Sequence, residues 1–318
     1  MSRSQREVFG ETLAELAAAD PRVVVLDGDL ATSTRADIVA EQAPDAFVQV
    51  GIAEQNMVGM AVGMATSGYV PWLSSFGVFL THRAVDQVRM LVSQTRLPVR
   101  VVASYAGLLN GRTGKTHQDV EDLAIMRAMP HMTVLAPADE HEAEAMIRWA
   151  ADFDGPVYLR LARDRVTPVF EAGHVFEPGR THVVRDVDAG ADVTLVSTGT
   201  QTTRVLAAAD LLAARGIAAR VLHVPTVKPL DTAGFLALLD ESLVVTVEEH
   251  SVLGGLGGLV SEITSTHAPR HVVRLGLADG WAESAPDDFL LDRYGLSAER
   301  VAEQVEAAVR SQVAVVPA

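Results

Sequence analysis

The sequence predicts an α/β fold with two domains, each built on a mostly parallel β-sheet. Short β-branched runs alternate with longer amphipathic or apolar runs along the chain, which is the pattern of repeated β-α units. A length of 318 residues fits about two domains, and a hydrophobic content of 48% is sufficient for two cores. Residues 168–179 and 186–192, which are rich in proline, glycine or charge, interrupt the alternation. We therefore expect one domain over residues 1–179 and a second over residues 180–318.

The individual elements follow from the same alternation. In the first domain, we predict strands at residues 22–26, 47–50, 70–73, 99–103, 133–135 and 157–160, and helices beginning near Thr34, Glu54, Val78, Asp119 and Asp139. In the second domain, we predict strands at residues 193–197, 219–224, 243–247 and 271–275, and helices that include residues 202–215 and 256–266.

Composition narrows the class of function. A net charge of -15 argues against nucleic acid or an anionic membrane surface as a partner. The absence of cysteine excludes disulfides, thiolate metal sites and a cysteine nucleophile. The first residues contain no apolar run, and glycine and proline interrupt the long uncharged stretch that follows, so we predict neither a signal peptide nor a membrane span. These features fit a cytoplasmic protein.

Glu54 is the only formal charge in residues 46–82. Residues 57–65 are exclusively Met, Val, Ala and Gly, which predicts a helix that is apolar on all sides and buried between two packing partners. A carboxylate in the first turn of such a helix lies at the positive end of the dipole but is poorly hydrated, so its protonation depends on the group that it faces. Glu54 is therefore a candidate general acid or base. The alternative is that it caps its own helix or pairs with an arginine.

Two further groups are candidates for a site. His117 follows a glycine-containing loop and precedes a predicted helix, a position from which a side chain can project into a cleft, although many loop histidines simply face solvent. Phe76 and Phe79 lie three residues apart at a strand-to-helix junction, where two rings can flank one flat group or pack in a core.

The glycine-rich run that begins at Gly254 is similar to a dinucleotide-binding fingerprint. Counted from Gly255, however, the third glycine position is occupied by Val260. We therefore predict that these glycines allow a loop to pack closely against the following helix.

Several motifs together resemble the pyrimidine-binding and C-terminal domains of transketolase. These motifs, in chain order, are Gly51-Ile52-Ala53-Glu54-Gln55-Asn56, Ser75-Phe76 with Phe79, Thr116-His117-Gln118, Leu161-Ala162-Arg163, Val247-Glu248-Glu249-His250 and Gly254-Gly255-Leu256-Gly257. The resemblance covers essentially the whole chain and implies two three-layer αβα domains.

The resemblance also implies a missing partner. A full transketolase begins with another domain, whose Gly-Asp-Gly motif and a later asparagine hold the metal and the diphosphate of thiamine diphosphate. In this chain Leu26 precedes Asp27-Gly28-Asp29 where that motif has glycine, so we assign no metal ligand here. We expect the second subunit of a split transketolase, inactive alone and forming an α2β2 heterotetramer with an N-terminal subunit that holds Mg²⁺.

The residues that the resemblance assigns to the thiamine diphosphate cofactor are Glu54, Phe76, Phe79, Asp29 and His82. Glu54 matches the glutamate that hydrogen-bonds the ring nitrogen of the aminopyrimidine, and the two phenylalanines match the aromatic residues that pack against that ring. Asp29 matches an aspartate near the thiazolium, and His82 stands where full-length enzymes often have a tyrosine near the pyrimidine.

Other matched residues concern the substrate. His117 matches a histidine close to the reacting oxygens, and Arg6, Ser33 and Arg163 align with two arginines and a serine that bind the sugar phosphate. Two guanidinium groups and a hydroxyl suit a tetrahedral anion, which is a phosphate by default and a sulfonate as the alternative.

The chain departs from the family pattern at two substrate positions. Thr113 replaces an aspartate that contacts a substrate hydroxyl, and Tyr105 replaces a histidine. A neutral hydroxyl cannot reproduce the strength and geometry of a carboxylate, so we expect a ketol transferase with an altered sugar preference.

Three alternatives stay open. The beta subunit of a 2-oxo acid dehydrogenase has the same two-domain layout, and deoxyxylulose phosphate synthase has a similar glutamate motif. The chain could also be a regulatory subunit that keeps the fold without turnover, which Thr113 and Tyr105 favour and which Glu54 and His117 oppose.

Overall fold

A computed structural model describes residues 2–187 and 190–313, which form two β-sheets with helices on both faces. The strands are β1 (Val23–Asp27), β2 (Phe47–Gln49), β3 (Val70–Phe76), β4 (Arg100–Ser104), β5 (Thr133–Leu135), β6 (Val157–Leu161), β7 (His182–Arg185), β8 (Val193–Ser197), β9 (Ala219–His223), β10 (Thr226–Lys228), β11 (Leu243–Ser251) and β12 (Val272–Leu277).

The α-helices cover the faces of these sheets. They are α1 (Gln5–Ala19), α2 (Ala31–Thr34), α3 (Asp37–Gln42), α4 (Glu54–Thr66), α5 (Val85–Gln87), α6 (Asp122–Ala128), α7 (Glu140–Asp152), α8 (Gln201–Ala214), α9 (Thr232–Ala237), α10 (Leu256–His267), α11 (Asp287–Arg293) and α12 (Ala298–Val313). Short 3₁₀ turns occupy Pro44–Ala46 and Gly111–Thr116, and π-helical turns occupy Phe79–Arg83 and Val88–Ser93.

Both sheets are mostly parallel, as predicted. The seven-stranded sheet has the order β10-β5-β6-β4-β3-β1-β2, and its only antiparallel pair is β10 with β5. The five-stranded sheet has the order β12-β11-β8-β9-β7, with β7 antiparallel to β9. Strand β10 comes from the later half of the chain yet completes the first sheet, and our domain boundary near residue 180 stays a prediction.

Alternation along the strands creates the layers. Val23 and Val25 of β1 pack into one core cluster, and Val24 and Leu26 pack into another on the opposite face of the sheet. Two further clusters cover the second sheet in the same way. The expectation of two three-layer αβα units is therefore confirmed.

Helix α4 begins at Glu54, as the sequence predicts, but the described chain supplies a packing partner for only one of its faces. The inner face buries Met57, Val58, Ala61 and Ala65. The outer face is exposed and carries small and polar side chains, including Gln55, Asn56, Gly59 and Gly63. Because no charge lies on that face, it is suited to a second chain, which agrees with the expectation of a partner.

Helix α1 was not among the predicted elements. Ser4 accepts a hydrogen bond from the Glu7 backbone N–H at 3.3 Å, and the Glu7 carboxylate accepts from the Ser4 N–H at 2.7 Å. This reciprocal capping box has a recognisable sequence signature, in which serine is followed three residues later by glutamate. The signature predicts a helix start and so places Arg6 in the first turn.

A buried arginine joins the two sheets. The Arg160 side chain on β6 is 7% exposed, and its Nε donates to Asp122 Oδ2 at 2.7 Å. Its Nη2 donates to the backbone carbonyl of Glu249 on β11 at 2.9 Å, and the Tyr158 hydroxyl donates to the same Asp122 oxygen at 2.7 Å. A buried guanidinium is tolerated only when it is paired with an anion and hydrogen-bonded. Removing Arg160 or Asp122 would therefore leave the other charge buried without compensation.

The same region fixes the chain that follows β4. The Glu249 carboxylate accepts hydrogen bonds from the N–H groups of Leu108 and Leu109 at 2.9 and 3.1 Å. Gly107 has a φ of 88°, and a Cβ there would collide with the side chains of Glu249 and Arg160. Only glycine meets both demands, the left-handed conformation and the close approach.

Among the described residues, no helix is both long and apolar enough to span a bilayer.

We predict that Arg160→Met lowers the free energy of unfolding by about 3–5 kcal/mol, because it leaves the Asp122 carboxylate buried without its cation. Chemical denaturation followed by far-UV circular dichroism measures the loss. The matched control is Arg180→Met, since the pair between Arg180 and Glu177 is more than half exposed and its removal should change little. Equal stability of the two variants would contradict a central role for Arg160.

Candidate active site

The candidate residues gather at one edge of the first sheet. Phe76 ends β3, Tyr105 follows β4 directly, and Arg163 follows β6 by two residues. Because β3, β4 and β6 are parallel neighbours, their carboxyl ends open onto the same side, which is where α/β proteins place ligand sites. The sheet therefore brings together residues that are far apart in the sequence.

Three aromatic rings and one imidazole form the centre of this region, which we call the ring cluster: Phe76, Phe79, Tyr105 and His117. Phe76 stacks on Tyr105 with ring centroids 4.3 Å apart, and on Phe79 at 5.9 Å with an interplanar angle of 22°. The His117 ring meets Phe79 edge-on at 5.3 Å and Phe76 at 6.0 Å. The structure thus unites both predicted phenylalanines with the predicted histidine.

Glu54 is fully buried at the start of α4 and pairs with Arg83. One terminal nitrogen of Arg83, Nη1, donates to both carboxylate oxygens, at 2.9 and 2.8 Å. The same guanidinium lies over the Phe79 ring, with its carbon 4.3 Å from the centroid, and the Arg83 side chain is 43% exposed. Of the two alternatives to a general acid or base, the arginine partner is therefore observed, since both oxygens of Glu54 accept from Arg83.

Sequence reasoning missed Arg83. The sequence did indicate this partner, because Arg83 is the next formally charged residue after Glu54. A buried carboxylate requires compensation, and the nearest charge along the chain was a reasonable partner to test.

His82 faces acidic groups. Its Nε2 lies 3.6 Å from an Asp119 oxygen and 3.8 Å from a Glu121 oxygen, and Thr81 donates to Asp119 at 2.7 Å. The carboxylates of Asp119 and then Glu121 raise the pKa of His82 to about 10, so its imidazole is protonated at neutral pH. Burial raises the pKa of Asp119, while the imidazolium of His82 lowers the pKa of Glu121.

The expected anion-binding residues also converge. Arg6 Nη1 donates to the Tyr105 hydroxyl at 2.8 Å and to the Ser33 carbonyl at 2.7 Å, while its Nε donates to the Arg163 carbonyl at 3.1 Å. The guanidinium carbons of Arg6 and Arg163 lie 5.4 and 5.6 Å from the centroid of the Tyr105 ring. The two arginines therefore border the ring cluster at Tyr105, and Ser33 contributes a main-chain contact.

Two predicted residues lie outside these contacts. Thr113 is exposed in the turn Gly111–Thr116, where its hydroxyl donates to the Asn110 carbonyl at 2.6 Å. Asp29 is exposed just beyond β1 with a φ of 68°, and its N–H donates to the Gln49 side chain at 3.1 Å.

The glycine-rich run near residue 255 has the packing role that we predicted. The N–H groups of Leu256 and Gly257, at the start of α10, donate to the Glu248 carboxylate at 2.6 and 2.8 Å. A Cβ at Gly255 would collide with Glu248 and His250. A protein carboxylate therefore occupies the helix end that a phosphate would otherwise use.

Comparison with known families agrees with this geometry. Residues 2–168 match the transketolase pyrimidine-binding domain, and residues 181–301 match the transketolase C-terminal domain. The chain is 39% identical to a putative transketolase C-terminal section of Methanocaldococcus jannaschii, and the match covers 95% of each chain. A solved structure described as a split gene transketolase, an inactive beta4 tetramer, superposes with a TM-score of 0.87 at 40% identity, covering 98% of this chain and 99% of that one.

Two other relatives differ in their named reactions or in length. The 6-deoxy-6-sulfo-D-fructose transketolase subunit SqwH of Clostridium sp. strain MSTE9 is 36% identical over 93% of this chain and 91% of its own. The 1-deoxy-D-xylulose-5-phosphate synthase of Symbiobacterium thermophilum is 39% identical, and this chain covers 49% of its length. The two matched domains, together with these whole-chain similarities, show that the chain belongs to the transketolase family.

Proposed function

We propose that this chain is the C-terminal subunit of a split, thiamine diphosphate-dependent transketolase. The reaction is transfer of a two-carbon ketol unit from a ketose phosphate to an aldose, and it requires an N-terminal subunit that holds Mg²⁺ and the diphosphate. The observation that carries the proposal is the fully buried carboxylate of Glu54 beside the ring cluster, in a chain whose relatives include a transketolase C-terminal section.

The residues present fit the pyrimidine half of the cofactor. Phe76 and Phe79 offer nearly parallel ring faces for a flat heterocycle, and Glu54 lies at the positive end of α4, where its charge is favoured. Glu54 would hold a proton between its carboxylate and the pyrimidine ring nitrogen. When bound, the thiazolium of thiamine diphosphate supplies the electron sink for the carbanion chemistry.

Arg83 has to release Glu54 before the carboxylate can serve a cofactor. At present its guanidinium satisfies both carboxylate oxygens and covers the Phe79 ring. A cationic, planar group in this place is a reasonable substitute for a protonated heterocycle, because both make hydrogen bonds to the carboxylate and stack on an aromatic ring. Because the Arg83 side chain is 43% exposed, it can move into solvent, provided that the bound cofactor then supplies a new hydrogen-bond partner for the buried Glu54 carboxylate.

Arg6 and Arg163 support recognition of an anionic sugar. Both guanidinium groups lie around Tyr105, and Arg6 orients the phenol by hydrogen bonding. His117 lies edge-on to both phenylalanines, where it can donate a hydrogen bond to a substrate oxygen. Thr113 lies on the exposed turn Gly111–Thr116, which immediately precedes His117.

A second candidate substrate class is a sulfonated ketose. The relative SqwH is named for 6-deoxy-6-sulfo-D-fructose, and the two arginines Arg6 and Arg163 can bind a sulfonate by the same contacts as a phosphate.

Deoxyxylulose phosphate synthesis is a second candidate reaction, because one relative at 39% identity is named for it, although this chain covers 49% of that relative. An α2β2 heterotetramer is the assembly we expect, with the exposed face of α4 contributing to the contact.

We predict that activity requires both subunits. A mixture of this chain, the N-terminal subunit, thiamine diphosphate and Mg²⁺ should transfer a ketol unit from a ketose phosphate to an aldose, whereas each subunit alone should not. The assay quantifies product sugars by mass spectrometry, with sulfonated ketose donors in parallel reactions. Turnover by this chain alone would overturn the split-site proposal, and formation of deoxyxylulose phosphate from pyruvate would favour the second reaction.

Glu54→Gln should lower the turnover of the assembled enzyme by about 10²–10⁴-fold, because an amide cannot hold the proton at the pyrimidine nitrogen. Steady-state kinetics measure the loss, and circular dichroism checks that the fold is intact. Glu41→Gln, on the exposed side of α3, is the matched control and should leave turnover unchanged. Turnover within a factor of about 3 of wild type in Glu54→Gln would remove this residue from the mechanism.

Thr113→Asp should shift acceptor preference toward ordinary pentose phosphates by at least about tenfold in relative kcat/KM, since it restores the carboxylate that the family uses at this position. Competition assays with paired acceptors measure the ratio. Thr266→Asp adds the same charge at an exposed position on α10 and serves as the control. An unchanged acceptor profile in Thr113→Asp would show that this position does not select the sugar.

A further inference from the structure

We propose that Glu142, His174 and His182 form a binding site for one divalent transition-metal ion, with Zn²⁺ as the expected occupant. The site lies apart from the ring cluster, where the segment that joins the two sheets passes over α7. It departs from our expectation that this chain holds no metal, which considered cysteine and the aspartates after β1 but not the histidines of the joining segment.

The three side chains come from separate elements and meet at one point. Glu142 is in the first turn of α7, His174 lies in the joining segment, and His182 begins β7. One ligand atom from each, a carboxylate oxygen and two imidazole nitrogens, lies within 4.8 Å of the others. Long-range packing therefore creates a set that no local sequence motif contains.

All three ligand atoms are buried and lack a hydrogen-bond partner. Glu142 is fully buried, and its Oε1 accepts no hydrogen bond. The Nε2 atoms of His174 and His182 are likewise without partners, and the His174 side chain is 12% exposed. Three unsatisfied buried polar atoms are costly one by one, but a single cation satisfies them together by accepting a lone pair from each.

The surrounding contacts orient these ligands. The other oxygen of Glu142, Oε2, accepts from the Ala138 N–H at 2.7 Å and lies 2.8 Å from His223 Nε2, which leaves Oε1 for a ligand. The His174 ring stacks on Phe170 at 4.1 Å. Metal sites are commonly supported by such outer contacts, which hold each ligand in one orientation.

The donor set selects the class of metal. Two imidazole nitrogens and one carboxylate oxygen suit Zn²⁺ and related first-row ions, whereas Mg²⁺ and Ca²⁺ prefer oxygen ligands. Zinc bonds of about 2.0–2.2 Å place ligand atoms roughly 3.5 Å apart. Glu142 Oε1 and His174 Nε2, which are 3.9 Å apart, are already close to this spacing, so binding requires only small side-chain movements. The bound ion would tie α7 to the segment that leads into the second sheet.

A second group of possible ligands, His82 with Asp119 and Glu121, does not support the same inference. His82 is 41% exposed and already serves as the cation between two carboxylates. It therefore has no lone pair to offer a metal at Nε2.

The test uses the full chain after treatment with a chelator that is then removed. Titration with Zn²⁺ against a chromophoric chelator should give about one equivalent bound per chain, and Zn²⁺ should raise the melting temperature. The double variant His174→Gln/His182→Gln should bind at least about 100-fold more weakly and lose the thermal shift. His267→Gln, at the exposed end of α10, is the matched control and should behave as wild type.

Two outcomes would overturn the site. One is failure of the stripped wild-type chain to bind Zn²⁺ stoichiometrically, which would mean that ordered water satisfies the three atoms. The other is equal affinity in the double variant and wild type, which would place the ion elsewhere. If the double variant does not fold, Co²⁺ substitution in the wild-type chain decides, since the absorption of a tetrahedral nitrogen and oxygen site must appear.

Discussion

The buried guanidinium of Arg160 is the constraint on which the arrangement of the molecule depends. It belongs to the first sheet, yet its hydrogen bonds reach the start of α6 and the backbone of β11 in the second sheet. Glu249, adjacent in space, holds the N–H groups of Leu108 and Leu109. The later half of the chain therefore positions the loop that carries Tyr105 and leads to His117, although it contributes no ring to the cluster.

A further tie lies at the far end of the same loop, where the Gly111 N–H donates to Asp287 at 3.0 Å and the Ala285 N–H donates to the Gly111 carbonyl. The loop has little secondary structure of its own, so its shape comes from these contacts rather than from local propensity. The C-terminal part of the chain therefore fixes the conformation of the loop between Tyr105 and His117.

Much of the fold could be predicted from sequence because parallel strands are buried on both faces and are rich in β-branched residues, as the fully buried strand Val193–Ser197 illustrates. The ring cluster could also be predicted in part, because its members lie at or after the carboxyl ends of the neighbouring strands β3 and β4. What could not be predicted depends on long-range pairing: the antiparallel addition of β10 and the meeting of His174 with Glu142. Two other features are marked locally in the sequence: the capping box at Ser4 and Glu7 signals the start of α1, and Arg83 is the first formal charge after Glu54.

The pair between Glu54 and Arg83 also bears on the life of the subunit before assembly. Without compensation, the Glu54 carboxylate would be an ionised group buried in an apolar interior. Here the same polypeptide neutralises it with a cation that is half in solvent. On our proposal, the cofactor would take the place of Arg83 at this carboxylate, so binding would exchange one partner of the buried group for another and would never require that group to stand alone.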